Sequence, residues 1–309
     1  MTISTGNAAM TSRGNGTTMG TSTGRDETAS FLVGLIGSGI GPSLTPPMHE
    51  REAAELGRRL LYRRIDIDVL NLPPEAVGEL VRSAPHYGFD GLNITHPCKQ
   101  LVLPYLDDLT PDAASLGAVN TVVFDGRTAV GHNTDWSAFA RSLELGLPGA
   151  GRERVVQLGA GGAGAAVAHA LLSSKVSELV IADVDGERAT ALARDLEARF
   201  PGQRCRSSST SEVGEHLAGA DGLVNATPIG MAHHPGMPVA AEHLRPSLWV
   251  ADIVYRPLRT ELLTEAARIG CATLSGGGMA VFQAAQAFEL ITGTAPDHDR
   301  MMAHFGSLG

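Results

Sequence analysis

In the stretch Asn93-Ile-Thr95-His-Pro97-Cys-Lys99 an amide, a hydroxyl and a primary amine follow one another off the end of an apolar run and around a proline. Strand ends of α/β sheets face ligands, and an amine held among hydrogen-bonding groups can exchange a proton with an alcohol. Two further polar residues stand in comparable places: Asn120 after Gly117-Ala-Val, and Asp135 closing Gly131-His-Asn-Thr134. Asp135 falls where one rhythm of strands and helices gives way to another, and a carboxylate at a domain junction is well placed in an interdomain cleft. Ser43-Leu-Thr45-Pro46 lies just ahead of a helical stretch. Hydroxyls there can cap the helix or hold a carboxylate beside its N-terminus. Taken singly, each residue reads first as structure: Ser43 and Thr45 as caps, Asn93 and Asn120 as turn residues, Lys99 as surface, Asp135 as a helix cap.

A second constellation is made of glycine. The loop Gly159-Ala-Gly161-Gly162-Ala163-Gly164 has GxGxxG spacing, follows the apolar run Arg154-Val-Val-Gln-Leu158 and opens an alanine-rich helix. In that context the glycines permit a tight turn, close approach of backbone to a pyrophosphate and close helix-to-strand packing, while the helix N-terminus adds partial positive charge. The chain has 37 glycines, so the spacing alone carries little and the flanking strand and helix carry the reading. Asp183 closes the run Leu179-Val-Ile-Ala182 at the position where a carboxylate accepts hydrogen bonds from adenosine ribose hydroxyls. A 2′-phosphate would meet a like charge there, and Val184 offers it no guanidinium, so NAD is expected in preference to NADP. Arg188 is the residue whose reach would weaken that exclusion.

The elements that must position these groups follow from the apolar pattern. A chain of 309 residues with 43% hydrophobic content suits two ordinary domains. Short apolar runs alternate with helical patterns after Phe31: strands at Phe31 to Ile36, Leu61 to Ile67 and Gly91 to Thr95, helices at Met48 to Leu60 and Pro74 to Ala84, and a hairpin around Asp125-Gly126. This predicts a parallel or mixed α/β sheet. After the break at Gly146-Leu-Pro-Gly-Ala-Gly151, strands at Arg154 to Leu158, Glu178 to Ala182, Gly222 to Asn225 and Leu248 to Val254 alternate with helices at Gly186 to Phe200 and Thr260 to Ile269. Helices at Met279 to Thr292 and His298 to Phe305 close the chain.

Composition excludes several classes. The formal charge is −9 and Lys and Arg do not cluster, which argues against a nucleic-acid partner. Cys98, Cys205 and Cys271 are odd in number and widely spaced, which predicts neither disulfide nor zinc site. His96, His132, His233, His234 and His298 lack metal-ligand spacing, so no metal is expected. Residues 1–30 are rich in Gly, Ser and Thr and read as a disordered tail. With no secretory h-region and no run of membrane-spanning length, the expectation is a cytoplasmic protein, monomer or homodimer, acting on a small molecule.

Several of these motifs, together with Asn225-Ala-Thr227-Pro-Ile-Gly-Met231, Asp252-Ile-Val-Tyr255-Arg-Pro257 and Gly278-Met-Ala-Val-Phe-Gln283, occur in one order and resemble the shikimate dehydrogenase family over nearly everything after Phe31. The resemblance implies a two-domain α/β protein: a substrate domain of residues 31–134 and 277–309, completed by the C-terminal helices, around a Rossmann domain of residues 135–276. It puts Lys99 and Asp135 in catalysis, Lys99 taking the hydroxyl proton in its neutral form. It gives Ser43 and Thr45 the substrate carboxylate, Asn93, Thr95, Asn120 and Gln283 the ring hydroxyls with Tyr255 nearby, and Asn225, Thr227, Met231 and Gly278 the nicotinamide side. Thr45, and Asp183 followed by Val184, depart from the common biosynthetic pattern and look like the NAD-dependent quinate/shikimate dehydrogenases, a catabolic branch. The alternatives are an NADP-dependent biosynthetic enzyme and a non-enzymatic dinucleotide-binding regulator of the same fold.

Overall fold

The computed structural model describes residue 1 and residues 30–308, so the expected tail falls almost wholly outside the described residues. Strands β1 (Ser30–Gly37), β2 (Arg59–Asp66), β3 (Gly91–Ile94), β4 (Asp108–Leu109), β5 (Thr121–Asp125) and β6 (Thr128–His132) form one sheet in the order β2-β1-β3-β5-β6-β4. The sheet is mixed: β1 runs parallel to β2 and β3, whereas β5 pairs antiparallel with both β3 and β6. The turn at Gly126 sets the β5–β6 register, pairing Asp125 with Thr128 and Thr121 with His132.

Helix α1 (Thr45–Glu55) begins earlier than the expected Met48, because two prolines occupy its first turn, where no N–H is needed. It also ends sooner, since Arg59 and Leu60 belong to β2. Helices α2 (Val77–Ser83), α3 (Cys98–Leu101) and α4 (Pro111–Leu116) complete the first region, the expected helix from Pro74 starting as a 3-10 turn. Helix α5 (Asp135–Gly146) then leads into the second sheet.

There β7 (Arg154–Leu158), β8 (Glu178–Ala182), β9 (Arg204–Ser208), β10 (Gly222–Asn225), β11 (Trp249–Asp252) and β12 (Thr273–Leu274) pair in the order β12-β11-β10-β7-β8-β9, every pair parallel. This is the doubly wound dinucleotide-binding order. The central strands are apolar without alternation because helices cover both faces: α6 (Gly162–Ser173), α7 (Gly186–Arg199), α8 (Val213–Leu217) and α9 (Glu261–Ile269). All of β8, β10 and β11 is buried.

Helix α10 (Gly277–Thr292) packs on α5, where any Cβ at Gly278 would collide with Ser142. Its Ala280, Val281, Ala284 and Ala285, with Met301 and Phe305 of α11 (His298–Leu308), enclose Met48 of α1. A forked ion pair reinforces that contact: Arg300 Nη2 and Nε meet Glu52 Oε1 and Oε2 at 2.6 and 2.9 Å, with Glu52 only 1% exposed. The C-terminal helices thus return to the first sheet's side. No helix among the described residues is long and apolar enough to cross a membrane.

Candidate active site

The first polar corner forms where β3, α3, β5 and α5 meet. Strand β3 stops at Ile94, the chain turns through the cis His96–Pro97 bond, and the single turn of α3 lifts Lys99 off the sheet edge. The Val119 N–H fixes the Lys99 carbonyl at 2.9 Å, and Cys98 is buried beneath it. Lys99 Nζ donates to Asp135 Oδ2 at 2.6 Å, the two side chains being 20% and 7% exposed. Asp135 is the first residue of α5, where the helix N-terminus favours negative charge. Its other oxygen accepts from Asn120 Nδ2 at 2.9 Å, and its own N–H donates to Asn133 Oδ1 at 3.0 Å. Asn120 also donates to Thr134 Oγ1 and accepts the Thr134 N–H, both at 2.9 Å. Thr134 Oγ1 in turn donates to the Gln283 carbonyl at 3.2 Å, bringing α10 to the corner.

Asn93 lies beside this network, 4% exposed, and donates to Thr121 Oγ1 at 3.0 Å and to the Asn120 carbonyl at 3.3 Å. Its Oδ1 accepts the Tyr62 hydroxyl at 2.5 Å. Tyr62 is a residue the sequence reading missed. Its signal was the alternation in β2, where Leu60 and Tyr62 are buried and Leu61 is exposed. Behind Tyr62 the His49 ring stands edge-on at 5.1 Å; burial drives its pKa down to about 3 against a smaller upward pull from the Ala284 backbone.

Ser43 and Thr45 sit at the start of α1, yet no side chain caps it, and the Thr45 N–H makes a long bond to Ser43 Oγ at 3.3 Å. Their loop is held by its carbonyls instead, Arg64 Nη2 donating to Ser43 at 2.9 Å and Arg256 Nη1 to Pro42 at 2.5 Å. Thr95 is half-buried against Gly37, where any Cβ would collide with its methyl group. Gln283 donates to the Ala280 carbonyl at 3.3 Å. Tyr255 packs against Phe305, ring centres 6.3 Å apart, and burial raises its hydroxyl pKa despite neighbouring Arg256.

The second site is built of main chain. Gly159 has φ +97°, and a Cβ there would meet the Ala226 carbonyl at 2.6 Å; one at Gly164 would collide with the Gly159 carbonyl. Gly161 and Gly162 have open space where a Cβ would stand, and no side chain caps α6, so the helix N-terminus presents a bare cradle. These residues fit a dinucleotide pyrophosphate. Buried Gln157, also missed, clamps the loop by donating to the Gly159 and Gly164 carbonyls, each at 2.8 Å. Asp183 accepts from the Ala160 N–H at 2.6 Å, the Asp185 N–H at 2.9 Å and Arg188 Nη2 at 2.6 Å. Burial alone would raise its pKa, but the Arg188 contact and the two backbone donors together hold it below the usual carboxylate value. Val184 is exposed.

Of the residues expected on the nicotinamide side, Asn225 and Gly278 also make internal contacts. Asn225 is fully buried, donating to the Ile229 carbonyl at 2.9 Å and Asp252 Oδ1 at 3.0 Å while accepting Thr227 Oγ1 at 2.6 Å. It shapes the loop that carries Thr227, and Met231 follows in a turn closed by a bridge to His234. Burial raises the Asp252 pKa, outweighing its bonds from Thr260, Val254 and Asn225. Gly278 faces Ser142 of α5. Cys98, whose thiol burial pushes up to about 11, turns its sulfur to the Pro74 carbonyl at 3.8 Å.

Two family models match: the shikimate dehydrogenase substrate binding domain over residues 35–122 and the saccharopine dehydrogenase NADP binding domain over residues 155–243. The shikimate dehydrogenase (NADP(+)) of Streptomyces avermitilis is 61% identical over 279 residues, 90% of this chain and 96% of its own. The quinate/shikimate dehydrogenase (NAD(+)) of Corynebacterium efficiens is 50% identical over 281 residues, 90% of this chain and 99% of its own. The structure of quinate dehydrogenase from Corynebacterium glutamicum in complex with NAD superposes with a TM-score of 0.85 at 47% identity, covering 90% of this chain and 99% of that one.

Proposed function

The chain belongs to the shikimate dehydrogenase family and is an oxidoreductase; from that premise we propose that it oxidises quinate and shikimate, reversibly, to their 3-dehydro acids with NAD. The observation that carries this reading is the 2.6 Å contact of Lys99 Nζ with Asp135, flanked by Asn93, Asn120 and the Gln283 segment. We assign residues 31–134 and 277–309 to substrate binding and 135–276 to the dinucleotide.

A bound nicotinamide dinucleotide supplies the acceptor for the hydride that leaves the alcohol carbon. As the carbon is oxidised, Lys99 Nζ in its neutral form takes the hydroxyl proton, and in the reverse direction returns it. Asp135 holds Nζ in line and accepts a hydrogen bond from the neighbouring hydroxyl. Asn93, Thr95, Asn120 and Gln283 bind the ring hydroxyls, with Tyr255 at the edge. Ser43 and Thr45, whose hydroxyls are not committed to capping, hold the ring carboxylate. That carboxylate is remote from the reacting carbon and contributes orientation. Gly159, Gly161, Gly162, Ala163 and Gly164 cradle the pyrophosphate, and Asp183 accepts the ribose hydroxyls. Thr227, Met231 and Gly278 border the nicotinamide, with Asn225 shaping their loop.

The preference for NAD rests on Asp183, a carboxylate followed in sequence by exposed Val184 rather than by a cation. A specific observation favours NADP as the second reading: Arg188 already sits on Asp183 at 2.6 Å, offsets its charge, and is half-exposed and able to turn to a phosphate. The relatives divide the same way, the Streptomyces protein being named for NADP(+) and the Corynebacterium protein for NAD(+). Initial rates with NAD and NADP against quinate and shikimate decide between them. The expected result is turnover of both acids with kcat/KM higher for NAD; equal or better use of NADP overturns the cofactor assignment, and no turnover of either acid overturns the substrate assignment.

A further inference from the structure

An open cavity of about 530 Å³ lies between α5 and α10, lined by none of the individual residues given above a part in holding substrate or dinucleotide. Trp136 and Arg141 of α5, Phe282 and Gln286 of α10, Arg152 and His298 line it. Arg152 precedes β7 and bonds the Ser174 carbonyl just beyond α6 at 2.8 Å, so the cavity opens at the N-terminal edge of the parallel sheet. The glycine cradle is at the opposite edge. The volume falls in the range, roughly 300–1,000 Å³, of small-molecule sites.

The chemistry of its walls is selective. Two guanidiniums and one carboxylate, Glu144, which meets Arg141 at 2.8 Å, leave a single net positive charge in a chain whose formal charge is −9. Its walls carry hydrogen-bond donors, the guanidiniums of Arg141 and Arg152 and the indole of Trp136. The apolar wall is aromatic: Phe282 belongs to a buried cluster against which Trp136 packs, and its ring meets His298 edge-on at 5.6 Å. An aromatic body with one negative charge matches all three features, whereas a dianion would exceed the charge available.

We propose that this cavity is a second binding site, specific for an aromatic monocarboxylate whose ring lies against Trp136 and Phe282 and whose carboxylate is held by Arg141 and Arg152. The site reaches the catalytic corner through two short lever arms. Ser137 Oγ donates to Gln286 Oε1 at 2.7 Å across the cavity wall, joining α5 two residues after Asp135 to α10 three residues after Gln283. A ligand that draws these helices together shifts both residues, so binding alters turnover without competing with substrate.

Benzoate is the probe, with benzamide as its uncharged counterpart and inorganic phosphate as an anion without a ring. The chain has two tryptophans, and Trp249 is 4% exposed with its N–H bonded to the Gly151 carbonyl at 2.9 Å, so ligand-dependent change in indole emission reports Trp136. Benzoate is expected to change the emission saturably. Benzamide and phosphate should bind about tenfold more weakly or worse, as should benzoate to the folded Arg141→Gln/Arg152→Gln protein, measured also by calorimetry. Trp136→Phe should lose the emission change. Equal benzoate binding by the arginine variant, equal binding of phosphate, no binding, or full relief of the benzoate effect by saturating quinate or shikimate overturns the proposal; the last result would place benzoate on Ser43 and Thr45. The binding measurements stand apart from the substrate assignment, because they need no turnover.

Discussion

Asp135 and Asp183 are nearly the same residue in nearly the same setting. Each is a buried aspartate beside a sheet end, with a side chain 7% and 5% exposed, and each meets one cation at 2.6 Å. They differ in what surrounds that pair. Around the Asp135 carboxylate the partners are side chains from separate segments, Lys99 and Asn120. Around Asp183 two of three are main-chain N–H groups, and the cation is Arg188, half-exposed. A lysine amine can surrender its proton and serve as a base, whereas a guanidinium cannot. Equal geometry is therefore compatible with the unequal chemistry we propose: proton exchange by the lysine beside one carboxylate, hydroxyl recognition by the other.

The sharpest way to break that contrast is to make the first pair resemble the second. Lys99→Arg should keep a cation on Asp135 yet lower kcat about as far as Lys99→Ala, by roughly 10²–10⁴-fold, the usual contribution of a positioned acid or base. Dinucleotide binding, followed by calorimetry, should stay near the parent value in both. Near-normal turnover in either folded variant would remove Lys99 from the chemistry.

A smaller effect is expected at the second carboxylate. Replacing Asp183 by Asn and Val184 by Arg removes the negative charge and adds a planar donor for phosphate, so the ratio of kcat/KM for NAD over NADP should fall by about tenfold or more at matched salt. An unchanged ratio would mean that the ribose is read elsewhere.

The least effect belongs to Arg188→Ala. Because the guanidinium is 48% exposed, solvent screening limits the pair to about 0–1 kcal/mol of stability. The sign follows from the depressed pKa of Asp183: the contribution is present above the ordinary carboxylate value and is lost as pH falls through the lower, folded value. Urea midpoints of parent and variant should differ slightly at neutral pH and converge in acid. A gap that widens in acid would point to a role for Arg188 other than its bond to Asp183.

Much of this was legible where structure is local in sequence. The glycine loop, its strand β7, helix α6 and Asp183 were placed at their observed positions because a mononucleotide-binding half is one continuous segment with a strong apolar pattern. Arg204–Ser208 was not foreseen as a strand, since an edge strand of Arg, Cys and Ser carries little apolar signal. Helix α5 also went undrawn, although its first residue had been singled out. The Lys99 corner could be suspected only residue by residue, because Lys99, Asn120, Thr134 and Gln283 meet through folding over separations that no local pattern reports. Tyr62 and Gln157 were hidden by their ordinary places in strands, since their importance lies in which neighbour each bonds.

The packing of α1 has a consequence for the order in which the chain is made. Met48 is enclosed by α10 and α11, and Glu52 finds its partner in Arg300, so part of the surface that α1 buries is supplied by residues more than two hundred positions downstream. The parallel sheet between β7 and β12 draws every strand from one uninterrupted stretch and is complete before then. During synthesis, at roughly 5–20 residues per second, the nascent first region must wait for its closing helices while the middle one can already settle. A stall or truncation before Gly277 would release a chain with a formed parallel sheet and a helix α1 left uncovered at Met48 and Glu52, the form in which a quality-control protease or chaperone would meet it.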